Sequence, residues 1–122
     1  MSSIKLSKEQ VVEVLQRLRE IIAREGPAPT KIKIKHRGND DYFKVVKTQD
    51  KYGFDASDLL RVLGKLEFKD YHNSIPIQQG LYLHSFITTI EVEDVYIKFS
   101  IILSYETGKD TILLYSFHTD EF

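Results

Sequence analysis

Val95-Tyr96-Ile97-Lys98-Phe99-Ser100-Ile101-Ile102-Leu103, followed after a loop containing Gly108 by Ile112-Leu113-Leu114-Tyr115-Ser116-Phe117-His118, is the stretch that decides the fold. Odd positions from 95 to 105 carry Val, Ile, Phe, Ile, Leu and Tyr, whereas the even ones begin Tyr96, Lys98, Ser100. A strand with one buried face requires this period of two, because successive side chains point to opposite sides. In the second run Leu113, Tyr115 and Phe117 read as the core side. Antiparallel pairing of core to core then puts His118 on the face of Tyr96 and Lys98. A loop of Thr107-Gly108-Lys109 sets Lys98 opposite His118. Directly opposed residues have Cβ atoms roughly 4.5–5.5 Å apart, near enough for a phenol, an ammonium and an imidazole to serve one bound group.

Working outward, Leu81 to Ile90 reads as another strand, and Glu93-Asp94 supplies the turn into the Val95 run, giving a C-terminal antiparallel meander. Upstream the period changes. Ser7 and Gln10 have the spacing of a capping box ahead of Val11, Val14, Leu15, Leu18, Ile21 and Ile22, an apolar stripe with helical spacing. Gly26-Pro27 is expected to end that helix. A lysine-rich strand follows, then a short helix around Tyr42, Phe43, Val45 and Val46 closed by Gly53. A third helix is capped by Asp55 and Asp58 and buries Leu59, Leu60, Val62, Leu63 and Leu66. Lys69 to Ser74 reads as a polar connection to the sheet. The expected architecture is one α+β domain over residues 1–122, with the N-terminal helices packed on one face of a mainly antiparallel sheet.

The chain has 122 residues, which suits a single domain able to bury a core without staples. It has no cysteine, which removes disulfides, thiolate nucleophiles and cysteine-based zinc sites. No apolar run reaches the ~20 residues of a membrane helix, and Met1-Ser2-Ser3-Ile4-Lys5 leads into no signal-peptide core. A cytoplasmic protein without membrane contact is the expectation. A formal net charge of −1 makes any nucleic-acid contact a local matter. The dense basic segment is Lys31-Ile32-Lys33-Ile34-Lys35-His36-Arg37, with its lysines on alternate positions. It suits an edge strand protected by lysine, or a phosphate-tracking stripe in which Lys31, Lys33, Lys35 and Arg37 bind RNA.

The patterns of common enzymes are missing: no glycine-rich phosphate loop, no nucleophile elbow, and no pair of histidines at i, i+4 for a metal. Neither a metal nor an organic cofactor is called for. The histidines are His36, His72, His84 and His118. His84, between Tyr82 and Phe86, reads as a packing residue. Lys98 is notable as a charge in the middle of an apolar strand, where it must reach water or hold an anion. Tyr96, Lys98 and His118 together suffice for one reaction without metal or protein nucleophile. That reaction is RNA cleavage by its own 2′-hydroxyl, which needs a base, a donor for the leaving 5′-oxygen and fixed positive charge on the phosphate.

Asp94-Val95-Tyr96-Ile97-Lys98 with Tyr115-Ser116-Phe117-His118, preceded by the Leu-x-x-Leu-x-x-x-Asp-Tyr spacing within Leu63 to Tyr71, resembles the motility quorum-sensing regulator (MqsR) family of toxins. The resemblance spans about residues 55 to 118. It implies a RelE-like α+β fold and a metal-independent endoribonuclease (mRNA interferase) of a type II toxin-antitoxin system. It also implies mRNA as substrate, an antitoxin protein as partner, and a homodimer among the assemblies open to it. Tyr96 matches the family's active-site tyrosine, and His118 stands where the founding member has a catalytic lysine. His72 lies near a further functional lysine, and Gln78 or Gln79 stand in for a site glutamine. This chain departs from relatives in having Asn73-Ser74-Ile75-Pro76 after the Asp-Tyr pair, where a Gly-Pro is common, and in being slightly acidic. The reading from a different class is a non-catalytic module that binds a protein or nucleic acid through the sheet face or the lysine strand.

Overall fold

The computed structural model describes residues 3–25, 32–34, 40–78, 80–103 and 108–120. The chain order is α1 (Lys8–Glu25), β1 (Ile32–Ile34), α2 (Asp40–Tyr52), α3 (Ala56–Gly64), a 3₁₀ turn (Phe68–Asp70), β2 (Tyr71–Gln78), β3 (Leu81–Ile90), β4 (Glu93–Leu103) and β5 (Asp110–Thr119). The strands form one sheet in the order β1-β5-β4-β3-β2. β2 to β5 are antiparallel neighbours, and β1 adds to the β5 edge in parallel. The architecture is α+β, as the change of period along the chain predicts.

The helices start where their caps say. Ser7 N–H donates to Gln10 Oε1 at 2.9 Å and Gln10 N–H donates to Ser7 Oγ at 3.2 Å. Asp55 and Asp58 exchange the same reciprocal bonds at the start of α3. Gly53 takes φ +69°, a left-handed conformation that ends α2 without a Cβ clash. The expected stop at Gly26-Pro27 lies outside the described residues. Val11, Leu15, Leu18 and Ile21 of α1, Val45 of α2, and Leu59, Leu60 and Leu63 of α3 form one core with Phe86, Val95, Ile97, Phe99, Ile112, Leu114 and Phe117 of the sheet. The helices therefore cover a single sheet face, and Tyr96, Lys98 and His118 project from the other. No helix among the described residues is long and apolar enough to cross a membrane.

Three local expectations are corrected. Lys98 pairs with Ser116, and His118 pairs with Tyr96, because the ladder closes at Leu103/Asp110 and not around a three-residue loop, and then shifts by one residue between Phe99/Leu114 and Lys98/Ser116. The extra residue is Tyr115, a β-bulge. Beyond it the core side of β5 is Ile112 and Leu114, while Leu113 and Tyr115 are only half-buried. The second correction concerns Lys69 to Ser74, where the polar segment from Tyr71 onward is not a loop but the start of β2. Its ladder skips His72, another bulge, and His72 is exposed.

A third correction is the β3–β4 turn: Glu93 and Asp94 begin β4, and the connection is a two-residue turn inside the Ile90–Glu93 pair, with φ +49° at Glu91 and +65° at Val92. That is the type I′ pattern, which suits asparagine and glycine and strains a β-branched residue. Val92 is 96% exposed and gains nothing from burial. Lys51 and Tyr52 hold Glu93 at 2.6 and 3.0 Å, pinning the hairpin base to the end of α2. We expect Glu91→Asn with Val92→Gly to raise unfolding stability by about 1–2 kcal/mol, by removal of that strain. Urea unfolding at neutral pH measures it, and an unchanged midpoint contradicts it.

On the covered face, the segment before α1 crosses the outer edge of β2. Ile4 exchanges both backbone bonds with Ser74, at 2.7 and 2.9 Å. A side-chain chain backs this contact: Leu6 N–H donates to Tyr71 Oη at 3.1 Å, Tyr71 Oη lies 2.8 Å from Ser74 Oγ, and Ser74 Oγ lies 2.9 Å from His84 Nδ1. The bonds run head to tail when His84 is neutral and accepts at Nδ1. Burial, then the charge of Arg17, pushes His84 down to about 4. A histidine kept neutral in the fold stabilises it fully above its ordinary value of about 6.5, and that contribution is lost as pH falls toward 4. We expect the unfolding free energy of the wild type to drop on the order of 3 kcal/mol more than that of His84→Gln between pH 7 and pH 4. Parallel pH profiles from denaturant titrations contradict this.

Candidate functional site

The uncovered face of the sheet centres on β4. Tyr96 and His118 are direct cross-strand partners, and their rings stack with centroids 5.8 Å apart at 30°. Lys98 is two residues along the same face, exposed, with Ser85 on one side and Ser116 on the other as its ladder partners. Ser100 is the next residue on that face. All three serines are buried, and Lys98 alone stands up from them. Small neighbours on a pleated face leave a depression, and here it lies between β4 and β2. The recess measures about 280 Å³ and is lined by His72, Asn73, Ile75, Ser85, Ile87, Tyr96 and Lys98, with backbone from Phe86 and Ile97.

The structure thus brings Tyr96, Lys98, His118 and His72 to one side of the sheet. Tyr96 and His118 touch, and Tyr96, Lys98 and His72 share the recess. Strand β2, rather than a loop, carries His72 there, and its bulge turns the imidazole out of the ladder. His84 is 6% exposed and on the helix face, a packing residue as its aromatic neighbours predict. Lys33 lies in β1 with its backbone paired to Leu113, while Lys31, Lys35 and Arg37 lie outside the described residues. Gln78 ends β2 opposite Leu81, away from the recess, and Gln79 lies outside the described residues. Among the described residues, no group of three or more His, Asp or Glu side chains is arranged to hold a metal ion.

Hydrogen bonds fix the polarity of the stacked pair. His118 Nδ1 lies 2.9 Å from the Thr119 carbonyl oxygen. A carbonyl only accepts, so the proton is on Nδ1, and Nε2 carries the lone pair in the neutral ring. The Tyr96 phenol bonds to the Asp120 carboxylate, and this bond, with partial desolvation and the charges of Asp120 and Asp94, raises its pKa. Tyr96 therefore stays a phenol at neutral pH. The two rings are not equivalent: one offers a nitrogen lone pair, the other a phenol held protonated beside a carboxylate.

Sequence reasoning missed Asn73, Ser85, Ser116 and Asp120 as members of this face. Small polar residues at alternate positions of adjacent strands were the available signal, visible only once register is known. Among the described residues, the buried Ser100 hydroxyl has no hydrogen-bond partner.

No protein-family model matches the chain, and no curated protein matches it.

The bond to Asp120 is open to direct measurement. We expect Asp120→Asn to lower the Tyr96 pKa, since removing the carboxylate removes the leading cause of its rise. NMR titration of ¹³Cζ-labelled tyrosine, with Tyr96→Phe to assign the signal, reads the change. An unmoved Tyr96 titration contradicts the bond.

Proposed function

We propose that the protein is a metal-independent endoribonuclease, an mRNA interferase toxin with a RelE/MqsR-like fold, acting on mRNA in the cytoplasm and held in check by an antitoxin protein. The observation that carries this reading is the stacked Tyr96–His118 pair with Lys98 beside it on an open sheet face. Those three groups supply the proton transfer and positive charge that intramolecular attack of a 2′-hydroxyl on its phosphate requires.

In this mechanism His118 Nε2 takes the proton of the 2′-hydroxyl as its oxygen bonds to phosphorus. The 5′-oxygen leaves with the electron pair of its bond and is protonated. The products are a 2′,3′-cyclic phosphate and a free 5′-hydroxyl. Lys98 faces the non-bridging oxygens, where negative charge builds in the transition state. Tyr96 orients His118 by stacking and presents its oxygen to the ribose. His72, across the recess, is the other imidazole on this face among the described residues and serves as donor to the 5′-oxygen. The basic residues Lys31, Lys33, Lys35 and Arg37 of the sequence are the further phosphate contacts of this reading.

The test is incubation of purified protein with end-labelled mRNA in excess chelator. Cleavage should persist and leave 2′,3′-cyclic phosphate ends. His118→Ala should lower the rate by 10²-fold or more, as loss of a general base does, and Lys98→Ala should lower it comparably. Tyr96→Phe should abolish growth arrest on expression while the protein stays folded. Binding of the RNA without cuts would instead make this a non-catalytic interaction module.

A further inference from the structure

Beside the reacting groups, the recess between β2 and β4 has features that phosphate chemistry leaves unused. Its walls include two apolar side chains on either side of the Asn73–Ser85–Lys98 row: Ile87, the ladder partner of Tyr96, and Ile75, two residues beyond Asn73 on β2. Its rim carries the Asn73 amide, next to exposed His72 and across from Lys98. Asn73 pairs with Ser85 through the backbone, which places the amide beside the serine that flanks Lys98. No described residue hydrogen-bonds that amide.

At about 280 Å³ the recess is smaller than the ~300–1,000 Å³ of sites that enclose drug-sized ligands. A single planar ring system suits it. Apolar walls accept the faces of such a ring, and an amide on the rim offers one donor and one acceptor side by side to its edge. Lys98 and Tyr96 both line the β4 side of this recess, so a phosphate on Lys98 puts the attached nucleoside within reach of it. Single-stranded RNA is read in this manner, through unstacked bases held in side-chain pockets and bonded along their edges.

We infer that the recess is a nucleobase subsite in which Asn73 reads the base adjoining the phosphate held by Lys98, so that the protein selects its RNA by sequence. Adenine, which presents an acceptor at N7 beside a donor at N6, is the base that an asparagine amide matches in two bonds. Uracil and cytosine fill less of the space between Ile75 and Ile87. This inference rests on the RNA-cleaving reading for its ligand, but base selection is measurable without any cleavage.

Six-nucleotide 2′-O-methyl oligonucleotides of A, C, G and U, which lack the attacking hydroxyl, are titrated against the full chain by fluorescence anisotropy. The wild type is expected to bind the A oligomer about tenfold more tightly than the U oligomer, the discrimination typical of one bidentate amide contact. Asn73→Ala, whose fold is checked by circular dichroism and thermal unfolding, is expected to bring the two within about threefold by weakening binding of A alone. Lys98→Ala is expected to weaken all four alike and to reduce the salt dependence, as loss of a phosphate contact does. Equal wild-type affinity for the four oligomers overturns the inference, and so does an A preference that survives in Asn73→Ala. If base selection is found and lost as expected while unmodified RNA stays intact, the subsite stands and the nuclease reading falls.

Discussion

The β-bulge at Tyr115 is the constraint on which both the core and the open face depend. In an unbroken β5, Ile112, Leu114, Ser116 and His118 would share one face, with Leu113, Tyr115 and Phe117 on the other. Burying Ile112 and Leu114 would then bury His118, and burying Phe117 would expose that pair. The extra residue lets Ile112 and Leu114 meet Ile101 and Phe99 while Phe117 meets Ile97, all with 0–7% exposure. Each such side chain contributes about 1.5–3 kcal/mol by leaving water. An interrupted ladder costs roughly one hydrogen bond, about 1 kcal/mol net. The packing term wins, and one consequence is that Ser116 and His118 emerge on the side of Lys98 and Tyr96.

The same face shows why Lys98 is tolerated in the middle of a central strand. A cation flanked by two large apolar neighbours would be desolvated at several kcal/mol. Here its ladder partners are Ser85 and Ser116, short enough to leave the ammonium in solvent. Their shortness also hollows the face, so the feature that keeps Lys98 charged is the one that forms the recess beside it. Ser100 continues the row but lies deeper, and its hydroxyl has no partner among the described residues. Burying that orphan group costs about 1–3 kcal/mol. A polar strip on this face is thus kept at some expense in stability.

Local chemistry made the helices legible from sequence: capping boxes at Ser7–Gln10 and Asp55–Asp58 and 3.6-residue stripes leave little choice of start or buried face. The strict alternation of Val95 to Leu103 did the same for β4, and it placed Tyr96 and Lys98 on one side. Two features were illegible for the same reason. Tyr115 is an aromatic at a core-like parity, and nothing local says that the parity changes there; only the competition between Ile112, Leu114 and Phe117 for one core decides it. Tyr71-His72-Asn73-Ser74-Ile75-Pro76-Ile77-Gln78 reads as a loop because it is polar and contains proline. A strand flanking the sheet tolerates both, since its outer backbone groups face away from β3. The pairing of Tyr96 with His118 instead of Lys98 with His118 is a two-residue difference in register, set by closure of the hairpin at Leu103/Asp110 together with the bulge at Tyr115.

Strand β2 has different work on its two sides, and the period of two connects them. Ser74 points into the covered face, where it bonds to Tyr71 and His84, while Asn73 and Ile75 on either side of it line the recess on the open face. On β3 the same alternation sets His84, in the buried chain, next to Ser85, which flanks Lys98. The wall of the recess is therefore held from behind by the polar chain that also fastens Leu6 and Ile4 to the sheet edge. A flanking strand with a bulge at His72 and a proline at 76 has few ladder bonds to keep it in register. The Ser74–His84 bond and the Ile4–Ser74 bridge supply what the ladder lacks. In this arrangement the buried, neutral state of His84 and the position of Asn73 against Lys98 are parts of one structural requirement, linked through adjacent residues of the same two strands.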